Sequence, residues 1–184
     1  MQQGLSIKAR AVALLSRREH SCLELERKLA PHSNDPDALA RLLDDLTREG
    51  WLSDERFAQS IVHRRGRTHG MAVVINELRQ SGVPERAIED ARDALRDTEY
   101  ERARAVYEKK FGARVHAATF ENEIRGGVLF DDSSADDSET PDQAHTRQLA
   151  ARAAYVKQTR FLAGRGFSHG VITRLRGGER FDEQ

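Results

Sequence analysis

The side chains best equipped to do chemistry here are arginines. Arg64, Arg65 and Arg67 sit in the run HRRGRTHG, flanked by His63 and His69 and punctuated by Gly66 and Gly70. A guanidinium keeps its proton near neutral pH, so such a cluster grips rather than transfers: it presents planar, two-pronged donors to phosphates or carboxylates. Arg79 follows on the next helical stretch. Arg160, Arg165, Arg174 and Arg176 take related places near the end of the chain, and Lys109 and Lys110 extend the set. We expect these residues to form one cationic face for a polyanion or an acidic protein groove. A purely solvated charged surface is the plainer reading, and Lys109 and Lys110 also suit the C-terminal dipole of their own helix.

Chemistry that makes or breaks bonds finds no comparable set. The carboxylates scatter among Lys and Arg, as Glu24 and Lys28 do at i, i+4, which reads as weak surface pairing. The seven histidines show neither HExxH spacing nor a Cys/His cluster, so no metal site is expected. No glycine pattern has the strand-turn-helix context of a phosphate loop, and no nucleophile elbow occurs. Neither a catalytic residue nor a cofactor is expected, and the chain is not read as an enzyme. The single Cys22 cannot close an internal disulfide and reads as a small core residue.

The elements that hold these groups are helices throughout. No segment sustains an alternation of two, so the class is all-α. Ile7, Ala11, Leu14 and Leu15 mark a helix over about 5–19. Ser21 and Glu24 form a capping box for the next, which carries Leu25 and Leu29. Pro36 opens a third with Leu39, Leu42, Leu43 and Leu46, stopping at Gly50, and Ser53 caps a fourth bearing Phe57, Ile61 and Val62. The arginine run is expected on a loop between Gly66 and Gly70. Met71, Val74, Ile75 and Leu78 then give a fifth helix ended by Gly82. Further helices are expected over about 84–96 and 98–111, then from about Gln143 with Ala151, Ala154, Tyr155 and Leu162 inward, stopping near Gly164 or Gly166. Ser168 introduces the last, through Val171, Ile172 and Leu175. Trp51 and Phe57 are expected to seal a joint between units by packing, with base stacking as the sharper alternative.

Leu25, Leu78 and Leu162 recur in similar contexts, 53 and 84 residues apart, and the excess matches an irregular stretch from about 113 to 143. The expected organisation is therefore three tandem three-helix repeats over 5–50, 51–97 and 98–178, stacked into an elongated, curved array, with an irregular acidic insertion in the third. Residues 131–142 (DDSSADDSETPD) carry six acids and no base. Setting them aside leaves 30 basic against 24 acidic residues, so the formal net charge of zero hides a basic body. That acidic half lacks the apolar content to order itself and is expected to be a loop. The N-terminus shows no apolar signal region and no apolar run approaches the length of a membrane span, which points to a cytoplasmic protein.

RREHSCLELERKL (17–29), GWLSDERFAQSIVHRR (50–65), GMAVVINELRQSGV (70–83) and RFLAGRGFSHGVI (160–172), in that order, resemble the RecX family of bacterial regulators of the RecA recombinase. The resemblance covers about residues 8–112 and 147–176. It implies three tandem three-helix repeats and binding within the groove of the RecA–DNA filament, where related proteins inhibit ATP hydrolysis, strand exchange and coprotease activity during recombination and the SOS response. Two features depart from the family: Thr68, His69 and Met71 interrupt what is often a more basic approach to the fifth helix, and the acidic insertion is unusually long. The expected partner is the RecA filament, with single- or double-stranded DNA, held through phosphates independently of RecA, as the alternative.

Overall fold

Helix formation follows local signals closely in this chain, whose computed structural model describes residues 6–112 and 141–177. In chain order the helices are α1 (Ile7–Leu15), α2 (Cys22–Leu29), α3 (Pro36–Arg48), α4 (Asp54–Gly66), α5 (Met71–Gln80), α6 (Glu85–Arg96), α7 (Glu99–Tyr107), α8 (Pro141–Gly164) and α9 (His169–Gly177). A single π-helical turn, Glu108–Gly112, extends α7. The described residues contain no strand. The expected insertion, about 113–143, lies outside the described residues as far as 140, and the last two residues of its acidic stretch, Pro141 and Asp142, already belong to α8.

The caps explain the starts. Ser21 Oγ accepts from Glu24 N at 3.0 Å, Asp35 Oδ1 from Asp37 N at 2.9 Å, and Ser53 Oγ from Arg56 N at 3.1 Å, each satisfying a donor that the first turn leaves open. Only half of the expected capping box forms at α2. Glu24 turns away and pairs with both guanidinium nitrogens of Arg18 instead, a bidentate contact stronger than a bond to the cap N–H. The stops are equally local. Gly82 and Gly166 have φ of 71° and 82°, and the next N–H bonds back five residues, Val83 to Leu78 O and Phe167 to Leu162 O, both at 3.2 Å. Val83 and Phe167 are buried, completing the same terminal motif at both ends. Of the two stops expected for α8, Gly166 takes the left-handed conformation.

Three separate hydrophobic clusters form, each from three consecutive helices. Ala11, Leu25, Leu29, Leu39, Leu43 and Leu46 join α1–α3; Phe57, Ile61, Val74, Leu78, Ile88 and Leu95 join α4–α6; Ala103, Val106, Leu162, Phe167, Ile172 and Leu175 join α7–α9. Cys22 packs against the first cluster, and burial pushes its thiol up. The helix starts set the internal spacing: α2 and α5 begin 49 residues apart, at Cys22 and Met71, as do α3 and α6, at Pro36 and Glu85. Leu29, not Leu25, is thus the counterpart of Leu78. The pairing of Leu25 with Leu78 is one helical turn out of step.

Other expectations need correction. α1 is shorter than 5–19, because Arg17 to His20 form the turn that leads into α2. Arg64 and Arg65 lie within the last turn of α4, so the loop is only Arg67 to Gly70. Ala151, Ala154 and Tyr155 face solvent and only Leu162 of that stripe is buried, because the first part of α8 runs beyond the residues of the third cluster. Phe57 is core, but Trp51 is 53% exposed and seals nothing.

Candidate partner-binding face

The arginine loop sits where the second and third clusters meet, and the joint is built from backbone. α4 ends at Gly66, and His69 N and Thr68 N bond back to Arg65 O at 2.9 and 3.0 Å, curling the chain towards α5. The turn between α8 and α9 docks against this loop. Gly70 N donates to Arg165 O at 2.8 Å, Ala72 N to Gly166 O at 3.2 Å, and Arg165 Nη1 to Thr68 O at 3.0 Å. Arg165 also lies over the Phe161 ring, 4.6 Å from its centroid, a cation–π contact that fixes its direction.

Two side chains of α7 clamp the joint. Glu99 is 5% exposed; its Oε1 accepts from Met71 N at 3.2 Å and Ser168 N at 3.3 Å, and its Oε2 from Ser168 Oγ at 3.0 Å. One carboxylate therefore serves the N-terminal ends of α5 and α9, where the helix dipoles favour negative charge. Arg102 does the complementary work on carbonyls. Its Nη1 donates to Gly66 O at 2.8 Å and His69 O at 2.7 Å, and its Nη2 to Leu95 O at 2.8 Å, closing the C-terminal ends of α4 and α6. Burial lowers the Arg102 pKa, and the charge of Glu99 offsets part of that.

The joint between the first two clusters repeats half of this scheme. Asp54, the first residue of α4, accepts from Cys22 N, the first of α2, at 2.9 Å. Glu99, the first residue of α7, treats Met71, the first of α5, in the same way. Burial raises the Asp54 pKa and the Cys22 N–H lowers it. Arg56 pairs with Glu19 at 3.0 Å across the same seam.

The arginines expected to grip a partner thus divide by what they already hold. Arg65 pairs with Glu77 at 2.9 Å, and Arg79 with Glu85 at 3.2 Å. Arg165 is part of the joint, and Arg174 lies over Tyr100 at 4.6 Å. Arg64, Arg67, Arg160, Lys109 and Lys110 are exposed, and their side chains make no ion pair or hydrogen bond to other described residues. Arg176 lies on α9, with its side chain outside the described residues. The structure brings Arg64, Arg65, Arg67 and Arg165 together at one joint. Sequence reasoning missed Glu99 and Arg102, since a Glu and an Arg three apart on a charged helix look like any solvated pair. Among the described residues no group of three or more His, Cys, Asp or Glu could hold a metal, and no helix is long and apolar enough to cross a membrane.

Comparison with known proteins finds relatives over most of the chain. Residues 53–91 match the family model described as RecX, second three-helix domain. The chain is 38% identical over 174 residues to Regulatory protein RecX of Ralstonia nicotianae, covering 95% of this chain and 88% of that protein. It is 40% identical over 171 residues to the protein of the same name from Leptothrix cholodnii, covering 93% and 87%. The crystal structure of RecX from Lactobacillus salivarius superposes with a TM-score of 0.65 at 19% identity, over 94% of this chain and 93% of that one, which shows a shared fold.

Proposed function

Because this chain belongs to the RecX family of regulatory proteins, we propose that it is a non-catalytic modulator of RecA that works in the cytoplasm. It inhibits RecA by lying in the groove of the RecA–DNA filament, suppressing ATP hydrolysis, strand exchange and coprotease activity in recombination and the SOS response. The three clusters act as three-helix repeats, corresponding to about 5–50, 51–97 and 98–178, that follow the groove and span neighbouring RecA protomers. Contacts spread over two protomers raise avidity without one dominant anchor. Inhibition then requires tighter binding to one filament state than to the other.

The observation that carries this reading is the exposure of Arg64, in the last turn of α4, and of Arg67, on the loop that follows. Neither side chain is paired with another described residue, while the loop is held from behind by Arg102 and Arg165. A guanidinium with no carboxylate of its own is available to phosphate or to an acidic side chain. Its rigid mount limits the entropy lost on binding. Arg160, Lys109 and Lys110 extend the face, and Arg65, Arg79, Arg174 and Arg176 reinforce its potential.

RecA ATPase on single-stranded DNA, titrated with this protein, is the direct test. Hydrolysis should fall as the protein is added, and it should bind RecA-coated strands in preference to bare ones. Undiminished hydrolysis together with tight, salt-sensitive binding to bare DNA would instead identify a phosphate-binding module for which RecA is irrelevant.

A further inference from the structure

A second surface lies between two helices of the second cluster. α4 and α6 leave between them a trough of about 300 Å³. Its floor is small side chains, Ala58, Ala87 and Ala91, with Val62 beside them, and Glu55 and Asp90 stand on its rim. Small floor residues let another helix approach closely, and the rim favours a cationic one. On the third cluster, α8 presents an exposed face with the opposite character. Leu149 and Val156 are 53% and 39% exposed, unusual for large apolar side chains, and Arg152, Lys157 and Arg160 flank them.

We propose that these two surfaces belong to one interface, in which α8 of one copy of this chain lies in the α4–α6 trough of a second copy. The registers agree. Leu149 and Val156 are seven residues apart, about 10.5 Å along a helix, the same span as Glu55 to Val62 on α4. The face of α8 recurs at i, i+3, i+4 and i+7, as do the trough positions on α4 and on α6, so ridges meet grooves over two turns. Leu149 and Val156 supply the bulk that the alanine floor lacks. Arg152 and Lys157 supply charge opposite to Glu55 and Asp90.

Charge also selects the pairing. α8 against α8 would place cation on cation, and trough against trough would place acid on acid, so each contact joins the α8 of one copy to the trough of another. Met reciprocally, the two contacts close a two-fold pair; met singly, the contact runs head to tail and propagates. The inference concerns the chain alone and does not rest on the RecA reading.

Sedimentation equilibrium of the full chain, from micromolar to sub-millimolar concentration at low salt, tests it. The weight-average mass should climb above the 20.8 kDa of one chain, and should fall back as salt is added. Arg152→Glu with Lys157→Glu should sediment as a monomer, as should Glu55→Arg with Asp90→Arg. Mixing the two variants should restore association, because the acidic α8 of one then meets the basic trough of the other. Leu149→Ser with Val156→Ser should likewise be monomeric, with unchanged helicity serving as the folding control. A wild-type mass fixed at one chain throughout overturns the proposal. So does association that persists in both charge-reversed variants, which would place the contact elsewhere.

Discussion

Gly70 and Gly166 touch back to back: a Cβ built on Gly70 would fall on the carbonyl carbon and oxygen of Gly166 and on the N–H of Phe167. From the other side, a Cβ on Gly166 would lie 2.7 Å from Val73 N and Cγ2. The second and third clusters therefore meet through backbone, and the loop bearing Arg67 is held by a contact that no side chain can replace. Gly70→Ala should destabilise the protein by about 3 kcal/mol, the upper part of the usual range for overpacking, since neither backbone can retreat without losing its hydrogen bonds. Gly50→Ala is the contrast. Nothing lies within 4 Å of its Cβ, but its φ of 77° disfavours any side chain, at about 1 kcal/mol. Urea unfolding of both variants measures the difference, and equal losses would show that crowding at Gly70 is relieved locally.

Glu99 offers two oxygens to three donors. Glu99→Ala should cost roughly 2 kcal/mol, because the part-buried Met71 N and Ser168 N both lose their acceptor. Glu99→Gln keeps one acceptor for both N–H groups, and its amide can donate to Ser168 Oγ, so it should retain most of that stability. Thermal or urea unfolding distinguishes the two. A glutamine variant as unstable as the alanine variant would assign the effect to charge rather than to hydrogen bonding.

Arg102 closes carbonyls on three segments, and leucine at that position would strand all of them. Arg102→Leu should lower stability by about 3 kcal/mol, and Arg102→Lys should recover only part, since an ammonium lacks the planar fork that reaches Gly66, His69 and Leu95 together. Hydrogen exchange should show where the loss falls. The amides of Thr68, His69 and Gly70 should open in the variant while those of α2 and α3 stay protected. Uniform loss of protection would mean that all three clusters unfold as one unit.

His20 is 2% exposed and its Nδ1 lies 3.0 Å from Arg18 O. Burial lowers its pKa, with the charge of Arg18 adding to the effect. The unfolded chain therefore takes up a proton near pH 6.5 that the folded chain resists. Stability should fall as pH drops through about 6.5 and stop falling once folded His20 also titrates. Glu24 adds a second, more acidic window. Arg18 holds its carboxyl below the usual range, so that contribution is present above about pH 4.3 and lost below it. Denaturation midpoints across pH for wild type, His20→Asn and Glu24→Gln check both signs. A flat profile for wild type between pH 5 and 7 would contradict the first.

Arg64, in the last turn of α4, and Arg67, on the loop after it, are both exposed. Arg64→Glu with Arg67→Glu should weaken binding to the RecA filament at least about ten-fold, or 1.4 kcal/mol, while helicity is unchanged. Arg65→Ala should chiefly remove its surface pair with Glu77, worth up to about 1 kcal/mol of stability, with a smaller effect on binding. Where the contacts are to phosphate, each lost arginine should also lower the salt slope on single strands by roughly 0.7. Anisotropy titrations on RecA-coated and bare strands read all three, and an unaltered affinity in the double variant would remove the loop from the interface.

What the sequence determined by itself is local. Ser21, Ser53 and Ser168 stand at helix starts because a hydroxyl one residue ahead of a helix can satisfy a first-turn N–H. Gly82 and Gly166 stand at helix ends because only glycine adopts positive φ cheaply. Such signals span a few residues and need no knowledge of the fold. The same locality made the all-α class and the apolar stripes of α3 and α5 legible, as well as the arginine run itself. It failed at Ala151, Ala154 and Tyr155, where a helical period exists but the residues stay exposed, beyond the reach of the third cluster. Only the tertiary structure decided which charges are free. Arg65 is occupied by a glutamate 12 positions away, Arg165 by a carbonyl 97 away, and Arg102 by carbonyls 33 and 36 away. Whether an ionic side chain binds a partner or binds its own protein depends on what lies within about 3 Å of it, and chain folding, rather than spacing along the sequence, sets that distance.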